Sequence, residues 1–126
     1  MRNLVKRASV VTGSLVLLTA VVAVLAPTAS ASTTAPYLKE GSAGIGVKCV
    51  QSAVNNSLIQ AGKPGIAIDG DFGPATKSGV LYYQSAVGVA QDGIVGPLTG
   101  NDIMITIREY SLMPAEECYD NVPTSS

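Results

Sequence analysis

Apolar residues follow two rhythms along this chain. The first is nearly continuous, from Val10 to Ala26, interrupted by Thr12, Gly13, Ser14 and Thr19. The second is periodic. Between Gly46 and Ala61 the apolar positions are Val47, Val50, Val54, Leu58 and Ala61, and steps of three and four place them in one stripe on a helix. Gly62, followed by Pro64 and Gly65, ends that helix. A second stripe, Thr76, Val80, Tyr83 and Val87, begins after Pro74 and stops at Gly88. A third begins after Pro97, with Leu98, Ile103 and Ile107. The periodic part therefore predicts an all-α fold, a compact three-helix bundle.

The segments between the stripes repeat. Asp69-Gly70-Asp71-Phe72-Gly73-Pro74-Ala75-Thr76 precedes the second helix, and Asp92-Gly93-Ile94-Val95-Gly96-Pro97-Leu98-Thr99 precedes the third, giving the pattern D-G-x-[FV]-G-P-x-T twice. A repeat of this kind predicts one loop-to-helix geometry used twice. Asp-Gly makes a turn and Phe72 or Val95 plugs the core. Gly73 or Gly96 then precedes a proline at the first helical position, where a missing N–H costs nothing.

The continuous apolar run is read with its flanks. Arg2, Lys6 and Arg7 precede it, and Pro27 and the small triplet Ala29-Ser30-Ala31 follow it. That arrangement predicts a secretory signal over residues 1–31, cleaved after Ala31. The alternative is a membrane anchor, for which a run of about 17 residues is at the short edge of what spans a bilayer. Residues 32–37 read as a Ser/Thr/Ala/Pro linker, residues 38–107 as the domain and residues 108–126 as a tail. No catalytic domain is expected to follow the third helix.

Charge and composition narrow the chemistry. From Ser32 onward there are five basic and nine acidic residues, so duplex nucleic acid has no electrostatic footing as a partner. There is no His in the chain, hence no imidazole base, triad member or usual zinc ligand. No cofactor and no metal are expected. Asp69 and Asp71 begin like a calcium loop, but the twelfth position from Asp69 is Val80, where that loop needs a bidentate Glu. Export makes the two cysteines, Cys49 and Cys118, legible as one disulfide tying the tail to the first helix. Pairing with another chain is the alternative. The string Asn55-Asn56-Ser57 fits a glycosylation acceptor but falls within a helix and is set aside.

The series Leu38, Gly41-Ser42, Gly44, Val47, Val50-Gln51, Val54 and Gly62, then Asp69-Gly70 with Phe72-Gly73 and Thr76, resembles the peptidoglycan-binding domain family built on three helices. The resemblance continues through Val80, Tyr83-Gln84, Gly88-Val89, Asp92-Gly93, Val95-Gly96, Thr99 and Ile103. It implies that fold and peptidoglycan as ligand, through its glycan or its stem peptide. One departure is Gly100, which stands where the family often has Trp.

Two functions follow from different classes. One is a secreted, non-catalytic, monomeric peptidoglycan-binding protein associated with the cell wall, without a membrane partner once the signal is removed. The other is a secreted interaction or inhibitor protein using the same scaffold to bind another protein. A hydrolase would need an acid and base in one site, and Glu40, Glu109, Glu116 and Glu117 fall in loop or tail. For the first function the expected site is the groove between the repeated loops. Asp69, Gly70, Phe72, Gly73, Thr76 and Gln84 come from one side, Asp92, Gly93 and Gly96 from the other, and Tyr82 at the rim. There the N–H groups of two helix starts would meet a ligand carboxylate. Asp69 and Asp92 also read as turn residues bonding their own backbone. Gln84 lies on the inner face and has two readings, one in which it bonds loop backbone and holds the two loops together, the other in which it touches ligand.

Overall fold

The computed structural model of the protein describes residues 34–125; the signal read over residues 1–31 lies outside them. The order is α1 (Ile45–Gln60), α2 (Pro74–Val87), α3 (Pro97–Tyr110) and a short α4 (Ala115–Tyr119), with no strands among the described residues. The fold is all-α, as expected. Helix α1 is its centre and packs against each of the other three.

The three stripes largely form the core. Val47, Val50 and Val54 from α1, Val80 and Tyr83 from α2, and Ile103 and Ile107 from α3 are buried together with Phe72 and Val95 from the repeated loops. Three stripe members are exceptions. Ala61, Val87 and Leu98 are exposed, Leu98 at 68%. Leu98 lies on the outer side of the first turn of α3, while Thr99 and Gly100 beside it supply the buried side.

Capping follows the sequence. Gly62 and Gly88 take the left-handed conformation that ends α1 and α2, with φ of 74° and 84°. Pro74 and Pro97 occupy the first turn of their helices. Helix α3 runs to Tyr110 and turns off at Ser111, past the last stripe position.

The tail differs from expectation by containing α4. Pro114 caps it and Glu116 and Glu117 occupy its first turn, where carboxylates complement the helix dipole. Cys118 on α4 is bonded to Cys49 on α1 across a sequence separation of 69, and both cysteines are fully buried. Beyond α4, Val122 and Pro123 are buried, and Asn101 of α3 exchanges two hydrogen bonds with Ser125. This accounts for Gly100. A Cβ there would collide with the Pro123 carbonyl, and one on Gly46 with the Asn121 carbonyl. Both helices present bare backbone because the tail backbone lies on them, so the volume at Gly100 is occupied by tail.

Candidate functional site

Each repeated loop is built around a buried glutamine from the preceding helix. Gln51 of α1 donates through Nε2 to Asp69 Oδ1 (2.9 Å), the Asp71 carbonyl (3.0 Å) and Thr76 Oγ1 (3.0 Å), while its Oε1 accepts the Gly70 N–H (2.9 Å). Gln84 of α2 repeats the set on the next loop. Its Nε2 donates to Asp92 Oδ1 (3.0 Å), the Ile94 carbonyl (2.9 Å) and Thr99 Oγ1 (3.1 Å), and its Oε1 accepts the Gly93 N–H (3.0 Å). A primary amide has both donor and acceptor capacity, so one side chain can hold both arms of a turn. Gly70 and Gly93 sit at φ of 81° and 73°, a conformation that L side chains rarely adopt.

The two aspartates close the turns. Asp69 Oδ1 accepts the Asp71 N–H and Asp92 Oδ1 the Ile94 N–H, both at 3.0 Å. The Asp71 N–H and then the Gln51 amide hold the Asp69 carboxyl below the ordinary carboxylate range, and the Ile94 N–H and Gln84 do so for Asp92.

The loops are joined by the chain entering the domain. Leu38 and Val95 exchange backbone hydrogen bonds of 3.1 and 2.8 Å. Farther along, Gly41 N–H bonds the Phe72 carbonyl, Phe72 N–H the Ser42 carbonyl and Gly44 N–H the Gly70 carbonyl, each at 2.9 Å. Gln84 therefore holds only the second loop, and the segment from Leu38 to Gly44 holds the two together. That segment is laced to both loops where the sequence suggested a groove.

A concavity of about 290 Å³ instead lies on the second loop, lined by Tyr37, Asp92, Ile94, Gly96, Leu98 and Thr99, with Val89, Ala90 and Pro97. It brings together Asp92 and Gly96 of the expected residues. Gly70, Phe72, Thr76, Gln84 and Gly93 are buried and shape the loops from within, while Asp69 and Gly73 are on the first loop. Tyr82 lies outside the cavity lining, half-buried with the Lys63 ammonium 5.3 Å from its ring centroid. The two helix starts are not equivalent. A Cβ on Gly73 would meet open space, whereas one on Gly96 would lie 3.2 Å from the Tyr37 ring.

Sequence reasoning missed Tyr37 and Leu98 as cavity walls and Gln51 as the partner of Gln84. The one signal for Gln51 is the shared pattern of Val50-Gln51 and Tyr83-Gln84 on the helix before each loop, although Gln51 lies 18 residues before Asp69 and Gln84 only 8 before Asp92. A smaller concavity, about 220 Å³, lies over α1 between Ser52, Asn55, Asn56, Ile59, Ile68 and Leu112. Asn55 accepts the Ile66 N–H at 2.7 Å there, so its amide is engaged. Among the described residues no group of three or more His, Cys, Asp or Glu is placed to hold a metal, and no helix is long and apolar enough to cross a membrane.

Known proteins resemble this architecture in sequence. The chain is similar to the zinc D-Ala-D-Ala carboxypeptidase of Streptomyces albus G, 46% identical over 97 residues, covering 64% of this chain and 36% of that protein. It is 43% identical over 68 residues to an uncharacterized protein in the bpoA1 3'region of Kitasatospora aureofaciens, covering 54% of this chain and 55% of that one. The chain thus spans about a third and about half of these two relatives. A crystal structure of an L,D-transpeptidase from Xylanimonas cellulosilytica superposes with a TM-score of 0.47 at 30% identity, over 64% of this chain and 34% of that one. A family profile, the peptidoglycan binding domain, matches residues 52–101, which include both Asp-Gly loops and the glutamine of the second. Over residues 52–101 the chain matches the peptidoglycan binding domain family.

Proposed function

We propose that the protein is exported, binds peptidoglycan without turning it over, and does so through the cavity on the second loop. The family match over residues 52–101 supports the ligand. The observation that carries the site is Leu98, a large aliphatic side chain 68% exposed beside Tyr37, itself 57% exposed, at the mouth of a rigidly clamped loop. An exposed apolar pair on a preformed concavity is a binding surface in need of a partner. A tyrosine face stacks on sugar rings as readily as on alkyl groups. The leader over residues 1–31 supports export, and the relative named for D-Ala-D-Ala is in keeping with a wall-associated role. The non-catalytic reading rests on the lack of His and on Asp92 being the one carboxylate in the cavity lining.

Co-sedimentation of the purified protein with insoluble purified walls tests this. The parent is expected to pellet saturably. Tyr37→Ala and Leu98→Ala, whose side chains lie outside the core, are expected to keep the thermal midpoint and lose about tenfold in affinity, as truncated aromatic and aliphatic anchors do. Retention only when other cell proteins are added would favour a protein partner instead.

A further inference from the structure

Asp92 is the one charged side chain lining the second-loop cavity. Its Oδ1 is fixed by the Ile94 N–H and the Gln84 amide, so the carboxylate is held in place by groups that do not neutralise it. No cation pairs with it among the described residues. Lys77 passes close by, its stem 3.1 Å from where a Gly93 Cβ would stand, but its ammonium is paired with Glu40 at 3.7 Å. The walls around Asp92 are apolar or neutral: Tyr37, Val89, Ile94, Pro97 and Leu98. A fixed, unpaired anion at an apolar wall gives the cavity a sign. It opposes a ligand carboxylate and favours a cation borne on a hydrocarbon stem.

We infer that this cavity takes a primary ammonium at the end of an aliphatic side chain, the free amine of a diamino-acid residue in the peptide part of the wall polymer. The ammonium would meet the Asp92 carboxylate and the stem would lie along Leu98 and Tyr37. This refines the wall-binding reading and rests on it. It also replaces the carboxylate expected at the second helix start, where Tyr37 covers the Gly96 side.

The test uses walls with free amines and the same walls N-acetylated, against the parent and Asp92→Asn. The substitution removes the charge while the amide oxygen accepts the same two hydrogen bonds. Thermal midpoint confirms folding, and mass confirms that the new Asn-Gly sequence has not deamidated. Acetylation is expected to weaken the parent on the order of two- to fivefold, the range of an exposed ion pair. Asp92→Asn is expected to bind untreated walls as weakly as the parent binds acetylated ones, and to be indifferent to acetylation. A parent that binds both wall types equally, or an Asp92→Asn as sensitive to acetylation as the parent, overturns the inference and leaves wall binding standing. A parent that binds neither overturns both.

Discussion

At the scale of residues, the two glutamines are the most demanding positions in the molecule. Each is fully buried and has four hydrogen bonds, so an apolar replacement strands a loop carbonyl and a glycine N–H at once. Gln51→Leu and Gln84→Leu are each expected to cost about 2–4 kcal/mol in denaturant unfolding, against about 1–2 kcal/mol for Thr76→Val, which removes one acceptor. Tyr83 makes a separate prediction. Burial raises its hydroxyl to about 12, while the Thr106 hydroxyl, 2.8 Å away, partly opposes that shift. A folded value above the unfolded one means stability is intact below pH 10 and falls by about 1.4 kcal/mol per unit as pH rises from 10 to 12. Tyr83→Phe should flatten that alkaline limb. Asp69 and Asp92 have the opposite sign. Their folded values are lowered from 3.8, so what they contribute is present above that pH and is lost as acid titrates the folded carboxylates. Thermal midpoints between pH 5 and 2 should fall less steeply in Asp92→Asn than in the parent.

At the scale of elements, what was legible in the sequence was whatever repeats or alternates. Helices α1 to α3 followed from steps of three and four, and the two loop-to-helix units from the repeated Asp-Gly and Gly-Pro pairs. Neither signal reports on α4, a five-residue helix too short to hold a stripe, whose position depends on the disulfide, with the tail beyond it lying on Gly46 of α1 and Gly100 of α3. The site was half legible for a related reason. Asp92 and Gly96 belong to the repeat; Leu98 does too but reads there as a core position of the third stripe, and the wall Tyr37 is set by how the entering segment crosses the loops, a long-range pairing without a local pattern. The tail gives a sharp contrast at two glycines. Gly100→Ala must displace the Pro123 backbone and is expected to cost about 1–3 kcal/mol, while Gly73→Ala points into open space at φ of −102° and should lie within about 0.5 kcal/mol of the parent. Urea midpoints of the two variants check this directly.

At the scale of the whole molecule, the domain is a small core closed by a long-range staple. Linking α1 to α4 across 69 positions restricts the unfolded chain by about 4 kcal/mol in the chain-entropy model, a large share of what a unit this size can hold. Reductant should therefore lower the unfolding midpoint strongly. That rigidity has a functional side, because a binding cavity that is already formed loses little entropy when occupied. The measurement that tests this most directly is a titration of isotope-labelled protein with soluble wall fragments, followed residue by residue by NMR. Shifts are expected at Tyr37 and along residues 89–99, with the first loop, residues 69–76, left nearly unmoved. Shifts centred on the first loop, or none at saturating fragment, would contradict the assignment of the second loop as the wall-binding site.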